Sequence, residues 1–425
     1  MVWLEFLSSL AAIASPSIVI TNVPVFGAQG NLSGLVLNAN PATNSMAVFI
    51  FVAGAWYSKP SCASQLTAIQ PDGTWTANIT TVASDVNATE VAAFLVPTNY
   101  DQPCADGNAG LTIPPQAEAV VYAIRVNPSA RHFNFSDYGW SVKTSPGLTG
   151  PGPNYFSDST NNVWVDTQGF LHLAICYTSN AWQCSEIISD RGFGYGQYRF
   201  TVQTTVNTLD PNVVVGLFTY SYDAAYNDRE IDIELSRWDY EFGASDVADY
   251  AVAPYGAGQV QRFALAASVT NSAHSFLWQP NSVAYQSLNG DFTSYPAASN
   301  VLQTWNCSSG IPPAGGEQVH LNLWLDNGNA PVEGQPVEII ISKFEFVPLG
   351  PPPPATLSQL SGLPGGPVTL SAQAVTDWHY QILSSTNLID WLPIGTILAT
   401  NNAFQFTDTN PLSASSCFYR ALTQP

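Results

Sequence analysis

The sequence predicts an all-β protein of about two or three domains. Short runs rich in Val, Thr, Tyr, Phe and Trp recur along the chain between Gly, Pro, Asn and Asp, which is typical of strands joined by turns. Apolar residues at the helical spacing i, i+3, i+4, i+7 are scarce. At 425 residues the chain is also far longer than a single hydrophobic core requires.

Residues 1–17 resemble a secretion signal. An apolar stretch of small residues runs to Ser15, but the usual basic start is missing and Glu5 interrupts the segment. We interpret 1–17 as a degenerate or truncated leader. Beyond it the sequence has no run of about 20 apolar residues, so it predicts no transmembrane helix.

The block 18–127 is predicted to be a small β-sandwich. Its strand-like runs flank the sequence Pro71-Asp72-Gly73, whose residues favour the backbone geometry of a turn. Trp56, Tyr57 and Trp75 suit either a sugar-binding surface or the packing of a core, and core packing is the more common case. We regard this block as a candidate carbohydrate-binding module.

Three further segments follow. The block 128–348 contains the motifs described below. Residues 349–354 form a linker that is too rich in proline to join a sheet and suits a stiff spacer. The block 355–425 again has strand-like runs but is too short for catalytic machinery of its own, so we predict a C-terminal accessory β-sandwich there.

Three acids alternate with two isoleucines at 230–234, in a chain of which only 10% is charged. On a β-strand this alternation places Glu230, Asp232 and Glu234 on one face and the isoleucines on the other. Folding gives no reason to line up like charges, although a polar strand face turned to water is the alternative. Two carboxyls with separated pKa values are what the cleavage of a glycosidic bond requires.

The charge balance limits the partners. The formal net charge is −20, from 31 acidic and 11 basic residues, which argues against nucleic acid and anionic membrane because both need a basic surface. Aromatic residues on either side of the acids, such as Tyr220 and Trp238, are typical of a cleft that stacks on sugar rings. We expect a polysaccharide partner, no nucleic acid and no insertion into a membrane.

The six cysteines contain no CxxC pair, so a zinc cluster is not expected. Cys176 and Cys184 flank a short polar loop between two strand-like runs, where a disulfide would join a hairpin. Cys62 and Cys104 lie within one block and form a second candidate pair. Free buried thiols are the alternative for all six.

The block 128–348 carries an ordered set of strand motifs around the acids. They are Ser185-Glu186-Ile187-Ile188-Ser189 with an FGYG turn at 193–196, Phe218-Thr219-Tyr220, an H-x-F-x-W-x-P strand at 274–280, Asn322-Leu323-Trp324 and Phe344-Glu345-Phe346. In this order they resemble the strands of glycoside hydrolase family 16. The unbulged ExDxE spacing resembles the lichenase and xyloglucan-active branch of that family.

The resemblance implies a central β-jelly-roll sandwich of two curved antiparallel sheets, with a small β-sandwich domain on each side of it in the chain. It also implies retaining, endo-acting hydrolysis of internal β-glycosidic bonds, with a β-glucan-like polysaccharide as substrate. By motif position Glu230 is the nucleophile, Glu234 the general acid/base and Asp232 the acid that tunes them. A non-catalytic jelly-roll lectin and a transglycosylase are the alternatives.

Four aromatic residues are candidates for substrate binding: Tyr220, Trp238, Trp324 and Trp164. Each of the tryptophans suits sheet packing equally well, and alternation does not fix the side on which Trp164 lies. His274 is interpreted as structural, because the proposed chemistry leaves it no proton to move. The resemblance is weakest at Arg229 and at 251–255, where relatives commonly place polar residues on the neighbouring strand.

The predicted reaction requires no cofactor. Relatives often carry a structural calcium ion, for which the sequence assigns no ligands. The flanking blocks resemble modules found beside secreted bacterial carbohydrate-active enzymes. We therefore expect a monomer that is secreted or attached to the cell surface, in the extracellular space or periplasm of a bacterium.

Overall fold

The computed structural model describes residues 16–240, 247–266, 268–293, 296–349, 355–362, 366–374, 379–386, 391–399, 403–409, 411 and 418–424. The predicted leader up to Ser15, the proline-rich linker from 350 to 354 and Cys417 lie outside these ranges. The described chain divides into two compact units, one of residues up to Ser129 with Tyr222–Asp228, the other of Ala130–Ser221 with the residues from Arg229 onward. Among the helices of the described part, none combines the length and the apolar character that crossing a membrane needs.

The first unit is a sandwich of two antiparallel sheets. Its strands are β1 (Ser17–Asn22), β2 (Asn31–Leu37), β3 (Asn44–Val52), β4 (Ala55–Lys59), β5 (Leu66–Ala68), β6 (Thr74–Asn78), β7 (Glu90–Pro97), β8 (Asp106–Asn108) and β9 (Ala119–Ile124), with a 3₁₀ turn at Ala83–Asn87. Strands β1, β2 and β6 form one sheet, and the order β8-β4-β3-β7-β9 forms the other, with β5 also paired to β3. From Ile18 onward these strands lie in the block 18–127, for which the sequence predicts a small β-sandwich.

Strand β3 explains where the aromatic residues of this unit lie. It is buried along its whole length, because one face packs on the core between the sheets and the other packs on Phe94 and Trp56. Trp56 and Trp75 are 0% and 1% exposed. The two tryptophans therefore pack in the cores, which is the more common case named above. The alternative that they form a sugar-binding surface is wrong.

Of the two predicted cysteine pairs, the structure contains one and contradicts the other. Cys62 and Cys104 form a disulfide, with 5.3 Å between their Cα atoms. The pair predicted between Cys176 and Cys184 is wrong, since both are free thiols. Cys176 lies opposite Gln183 in the hairpin. Cys184 is the next residue after Gln183, so its side chain points to the other face, into the core.

The second unit begins with a large antiparallel β-structure. Its strands are β10 (His132–Phe135), β11 (Tyr138–Val142), β12 (Tyr155–Phe156), β13 (Val163–Val165), β14 (Leu171–Thr178), β15 (Ala181–Gly192), β16 (Gly196–Val202), β17 (Val213–Tyr220), β18 (Ile231–Ser236), β19 (Ala248–Val252), β20 (Val260–Phe263), β21 (Ser272–Gln279), β22 (Ser282–Asn289), β23 (Val301–Cys307), β24 (Gln318–Leu325) and β25 (Val337–Pro348). Short 3₁₀ turns lie at Val206–Thr208, Trp238–Tyr240, Ala298–Asn300 and Asp326–Gly328, and a further turn at Ala224–Arg229 belongs to the first unit up to Asp228.

Twelve of these strands form one continuous path, β20-β19-β18-β17-β24-β15-β14-β25-β16-β21-β22-β23, and β10 to β13 pair beside it. Strand β14 pairs with β15 near its end and with β25 along the rest, so the path turns at β14. The first sheet is β20-β19-β18-β17-β24-β15, and the second is β14-β25-β16-β21-β22-β23. Strands β10 and β11 extend the first sheet beside β15. The predicted all-β fold with a central jelly-roll sandwich is confirmed.

One hydrophobic core joins the two sheets. Tyr250 on β19 stacks on Tyr285 on β22 with 4.7 Å between ring centroids. Each hydroxyl also bonds to the opposite sheet: Tyr250 donates to Ser287 Oγ at 2.6 Å and Tyr285 donates to the Ala251 carbonyl at 2.6 Å. Such satisfied polar groups fix how the sheets pack.

His274 is part of this core. It is fully buried between Ser272 and Ser287, whose hydroxyls lie 2.8 and 2.7 Å from its two ring nitrogens. Burial lowers its pKa to about 3, so the ring is neutral at ordinary pH. His274 lies on the second sheet, away from the acids, which agrees with the structural role interpreted from the sequence.

The C-terminal residues of the second unit form two small sheets. The strands are β26 (Thr356–Gly362), β27 (Val368–Gln373), β28 (His379–Ser385), β29 (Leu392–Leu398), β30 (Ala403–Asp408) and β31 (Phe418–Gln424). Their orders are β26-β27-β30 and β29-β28-β31. Leu370, Tyr380, Ile382 and Phe404 pack together as their core.

The disulfide of the first unit predicts a specific loss of stability. Cys62 and Cys104 are 42 residues apart, and closing a loop of that length stabilises a fold by about 4 kcal/mol through the unfolded chain. Replacing Cys62 by Ser should lower the unfolding temperature of the first unit, measured by calorimetry. Cys176→Ser is the control and should leave it unchanged. A Cys62→Ser protein that unfolds like the parent in the absence of reductant would contradict the pairing, whereas reductant should make the two proteins unfold alike.

Candidate active site

The register of β18 places the three acids on one face. Ile231 and Ile233 are 0% exposed and belong to the core between the sheets. Because side chains alternate, Asp232 and Glu234 point away from that core. Glu230 continues the pattern just before the strand, since its carbonyl accepts the Ala253 N–H at 3.0 Å. We call this side of the first sheet the acid face.

The acids differ in their exposure to solvent. Asp232, in the middle, is only 4% exposed, whereas Glu230 and Glu234 on either side of it are half-buried. A ligand on the acid face therefore meets the two glutamates first.

Glu234 lies between a glycine and a further acid. Its cross-strand partners are Gly216 on β17 and Asp249 on β19. Gly216 has no side chain, and its N–H donates to Asn322 Oδ1 at 2.9 Å, an atom that would lie only 2.4 Å from a Cβ at this position. Asp249 is 6% exposed and accepts a hydrogen bond from the Trp238 indole N–H at 3.2 Å.

Asp232 has a different set of neighbours. Phe218 and Ala251 are its cross-strand partners. The Tyr255 hydroxyl donates to its Oδ2 at 3.2 Å. Tyr255 is 49% exposed and also lines an open cavity of about 600 Å³ with residues 256–258 and 260–262. The three acids do not line this cavity, and Tyr255 is the residue that links it to Asp232.

Burial and mutual repulsion raise the pKa values of the buried acids. Burial is the largest cause for Asp232, followed by the charges of Glu230 and Glu234, while the hydrogen bond from Tyr255 opposes the rise in pKa. For Glu234, burial is followed by the charges of Asp249, Glu230 and Asp326. Glu234 therefore keeps its proton above the pH at which an ordinary glutamate loses it.

A second carboxylate network flanks the acids across the sheet. Glu186 lies in the same row as Asn322 and Gly216, and accepts hydrogen bonds at 2.8 Å from Lys143 Nζ and from His320 Nδ1. Burial favours a higher pKa for Glu186, but these two partners outweigh it and the pKa is lowered. Glu186 is thus an ionised, anchored residue, in contrast to Glu234.

The candidate aromatic residues do not all lie together. Tyr220 lies on the acid face, edge-on to His320 at 5.9 Å between ring centroids. Trp238 and Trp324 pack edge to face at 5.8 Å near the other end of β18, and Trp324 is only 8% exposed. A ligand can therefore reach Trp238 more readily than Trp324.

Trp164 lies elsewhere. It stacks on His172, with 4.6 Å between ring centroids, while its neighbours Val163 and Val165 face the core. Strand β13 pairs with β14 in the second sheet, so the indole is on that sheet's outer surface. The structure does not bring Trp164 to the acids.

The chain around the acid face has unusual backbone geometry. Asn227, Asp228 and Arg229 have φ values of 49°, 55° and 50°, a left-handed conformation that costs non-glycine residues roughly 1–3 kcal/mol each. Trp238 and Tyr255, which both reach the acids, have φ values of 47° and 61°. Side chains that contact the acids are thus held there by turns that a relaxed chain avoids.

Arg229 anchors the chain before Glu230. It is fully buried, and its guanidinium donates to the Pro313 carbonyl at 2.9 Å and to Ser221 Oγ at 3.2 Å. Its own carbonyl accepts the Thr219 hydroxyl at 2.9 Å. The residue that departs from the family pattern therefore fixes the position at which the acids begin.

Sequence reasoning missed Asp249 and Tyr255. The available signal was the proximity of 249–255 to the acids in the chain, with Asp249 and Ala251 alternating as the acids do. That signal becomes useful only once β19 is known to pair with β18 in this register. Within the described residues, no group of three or more His, Cys, Asp or Glu side chains is arranged to hold a metal ion.

Comparisons with known proteins identify similar structures but no matching sequence family. No protein-family model and no curated protein match the chain. A Bacillus licheniformis β-glucanase is 18% identical, with a TM-score of 0.37 over 51% of this chain and 98% of its own. A GH16 protein of a Bacteroides ovatus mixed-linkage glucan locus is 16% identical, with a TM-score of 0.37 over 51% of this chain and 97% of its own.

A Mycobacterium tuberculosis pseudo β-1,3-glucanase is also similar, at 16% identity, with a TM-score of 0.36 over 48% of this chain and 88% of its own.

Gly216 gives a test of how tightly the acid face is packed. A Cβ at this position would lie 2.4 Å from Asn322 Oδ1 and 3.2 Å from Phe218 Cδ1. Gly216→Ala should therefore lower the free energy of unfolding by about 1–3 kcal/mol, measured by urea titration. Gly147→Ala is the control, because a Cβ there meets nothing within 4 Å. Equal stabilities for the two variants would show that the space beside Glu234 is open.

Proposed function

We propose that this chain is a retaining, endo-acting glycoside hydrolase of the family 16 type that cleaves internal β-glycosidic bonds of a polysaccharide. The observation that carries the proposal is the acid face itself: two half-buried glutamates flank a buried aspartate, and the pKa of Glu234 is raised by burial and neighbouring charge. A protonated and an ionised carboxyl side by side are the two groups that this reaction needs.

In the proposed first step, the Glu230 carboxylate attacks the anomeric carbon of the sugar. Glu234 gives its proton to the glycosidic oxygen as the bond from that oxygen to the anomeric carbon breaks, and a glycosyl ester forms on Glu230. In the second step Glu234, now ionised, takes a proton from water. The water oxygen attacks the anomeric carbon, and Glu230 leaves as a carboxylate.

Asp232 supports both steps from between the glutamates. Its burial and raised pKa favour the protonated form, in which it donates a hydrogen bond instead of adding a third negative charge. Asp232 is thereby suited to stabilise the Glu230 carboxylate before attack and after release. The hydrogen bond with Tyr255 holds its side chain in place.

A neutral, β-glucan-like chain is the proposed substrate. The acid face and its surroundings carry several carboxyls, which would repel an anionic polysaccharide. Tyr220 near one end of β18 and Trp238 near the other supply rings for stacking on sugars. The ring of Tyr255, whose hydroxyl bonds Asp232, also lines an open cavity of about 600 Å³.

Secretion and a monomeric state are part of the proposal. The Cys62–Cys104 disulfide supports an oxidising location outside the cytoplasm. The proposed reaction needs no cofactor, and a structural calcium ion stays a prediction from the family resemblance.

Replacing either glutamate tests the assignment. Glu230→Gln and Glu234→Gln should each lower kcat on β-glucans by about 10³-fold or more, because each removes a group that forms or breaks a bond. Reducing ends released from mixed-linkage β-glucan, laminarin and xyloglucan give the measurement. Asp291→Asn removes an exposed charge just after β22, and this matched control should retain full activity.

Azide separates the two roles. With an activated aryl glycoside, Glu234→Ala plus azide should give the β-glycosyl azide, because azide attacks the ester on Glu230. Glu230→Ala plus azide should give the α-anomer by direct displacement. Exchanged products would reverse the roles, and full activity in both variants would reject the site. A parent protein that binds glucan without cleaving it favours the lectin, whereas lengthened chains favour the transglycosylase.

The placement of the aromatic residues predicts unequal effects. Tyr220→Ala should raise KM for a long glucan about fivefold, since one ring on a sugar contributes roughly 1 kcal/mol. Trp164→Ala should leave KM unchanged, because its indole lies on the other sheet. Initial rates over a range of glucan concentrations measure both. The opposite pattern would place the substrate on the second sheet.

A further inference from the structure

Asp249 is a buried acid that the proposed mechanism has not used. It is the Cα partner of Glu234 across the β18–β19 ladder, and cross-strand partners of this kind bring their side chains into contact range. Its carboxyl is oriented by the Trp238 N–H, which donates to Oδ1 at 3.2 Å. A carboxyl buried next to another carboxyl is unfavourable for folding, so its presence there needs another explanation.

We propose that Asp249 is a positioning residue for the general acid: its carboxylate, held by Trp238, keeps the catalytic proton on Glu234. The inference rests on the proposed function and deepens it. Asp249 does not itself touch the glycosidic bond. It acts through Glu234, by making the loss of that proton unfavourable until the proton is given to the leaving oxygen.

The charges around Glu234 support this role for Asp249 in particular. On its own strand Glu234 faces Glu230 and Asp232, and Asp326 lies in the turn after β24. On the β17 side its neighbours Gly216 and Asn322 are uncharged. On the β19 side the row continues through Asp249 to Arg262 on β20. Of the charges that raise the pKa of Glu234, Asp249 has the largest effect.

Asp249 ionises in a useful range of pH. Burial raises its pKa to about 6, although the hydrogen bond from Trp238 and the positive charge of Arg262 both oppose the rise. Above about pH 6 the carboxylate is therefore charged and repels a second charge on Glu234. Below that pH Asp249 is neutral, and both acids hold their protons.

The variant Asp249→Asn tests the effect of this charge on Glu234. Asp249→Asn keeps the shape of the side chain and the acceptor for Trp238 but removes the charge. The pKa of Glu234 should then fall, so that the alkaline limb of the kcat/KM profile moves to lower pH by about one unit or more. Below about pH 6 the two profiles should converge, because the parent Asp249 is neutral there. A purely structural role would lower the rate at every pH instead.

Two substrates that differ in their need for the proton of Glu234 make the test more specific. Cleavage of a β-glucan needs a proton for the leaving oxygen, whereas a dinitrophenyl β-glucoside oligomer leaves without one. Asp249→Asn should therefore move the alkaline limb for glucan and leave the rate constant of glycosyl-enzyme formation from the aryl glycoside within about twofold. Asp291→Asn is the charge-matched control and should move neither. Trp238→Phe should shift the limb in the same direction by less, and serves if Asp249→Asn does not fold.

The outcomes separate the two proposals. An unmoved alkaline limb in an active Asp249→Asn protein, or equal losses with both substrates, would overturn the role of Asp249 and leave the hydrolase intact. A parent protein that cleaves neither substrate, with no ester formed on Glu230 by mass spectrometry, would reject the hydrolase and this inference with it.

Discussion

The register of β18 is the constraint on which the acid face depends. Ile231 and Ile233 are fully buried, which stabilises the fold by roughly 1.5–3 kcal/mol for each side chain. A slip by one residue would expose both and turn three carboxyls into the core, at a cost of several kcal/mol for each. The apolar half of the segment thus specifies where the acidic half lies. The site is a consequence of how the core is packed.

Among the described residues, few interactions offset the repulsion among these acids. Tyr255 and Trp238 each donate one hydrogen bond, to Asp232 and Asp249, and the nearest described cation in the row is Arg262 at the edge strand. Both aromatic residues have left-handed backbone geometry, which itself costs energy. Repulsion and strain in one place are typical of functional sites, because selection for stability alone removes both.

The sequence predicted features that depend on alternation within one strand, and missed features that depend on which strands pair. The acid face and its position opposite the core follow from the pattern inside a single segment. Asp249 and Tyr255 reach the acids only through the pairing of β18 with β19. The predicted Cys176–Cys184 disulfide was wrong for the same reason. A shift of one position in the hairpin places the two side chains on opposite faces of the sheet.

The asymmetry between the two glutamates also comes from pairing. The sequence Glu-Ile-Asp-Ile-Glu is the same in both directions, so nothing within it distinguishes Glu230 from Glu234. The neighbouring strand does: Glu234 lies opposite Asp249, whereas Glu230 pairs through its backbone with Ala253, close to the Tyr255 hydroxyl that bonds Asp232. The carboxylate of Asp249 beside Glu234 favours the protonated form of Glu234. In the proposed mechanism, the pairing with β19 therefore distinguishes the general acid from the nucleophile.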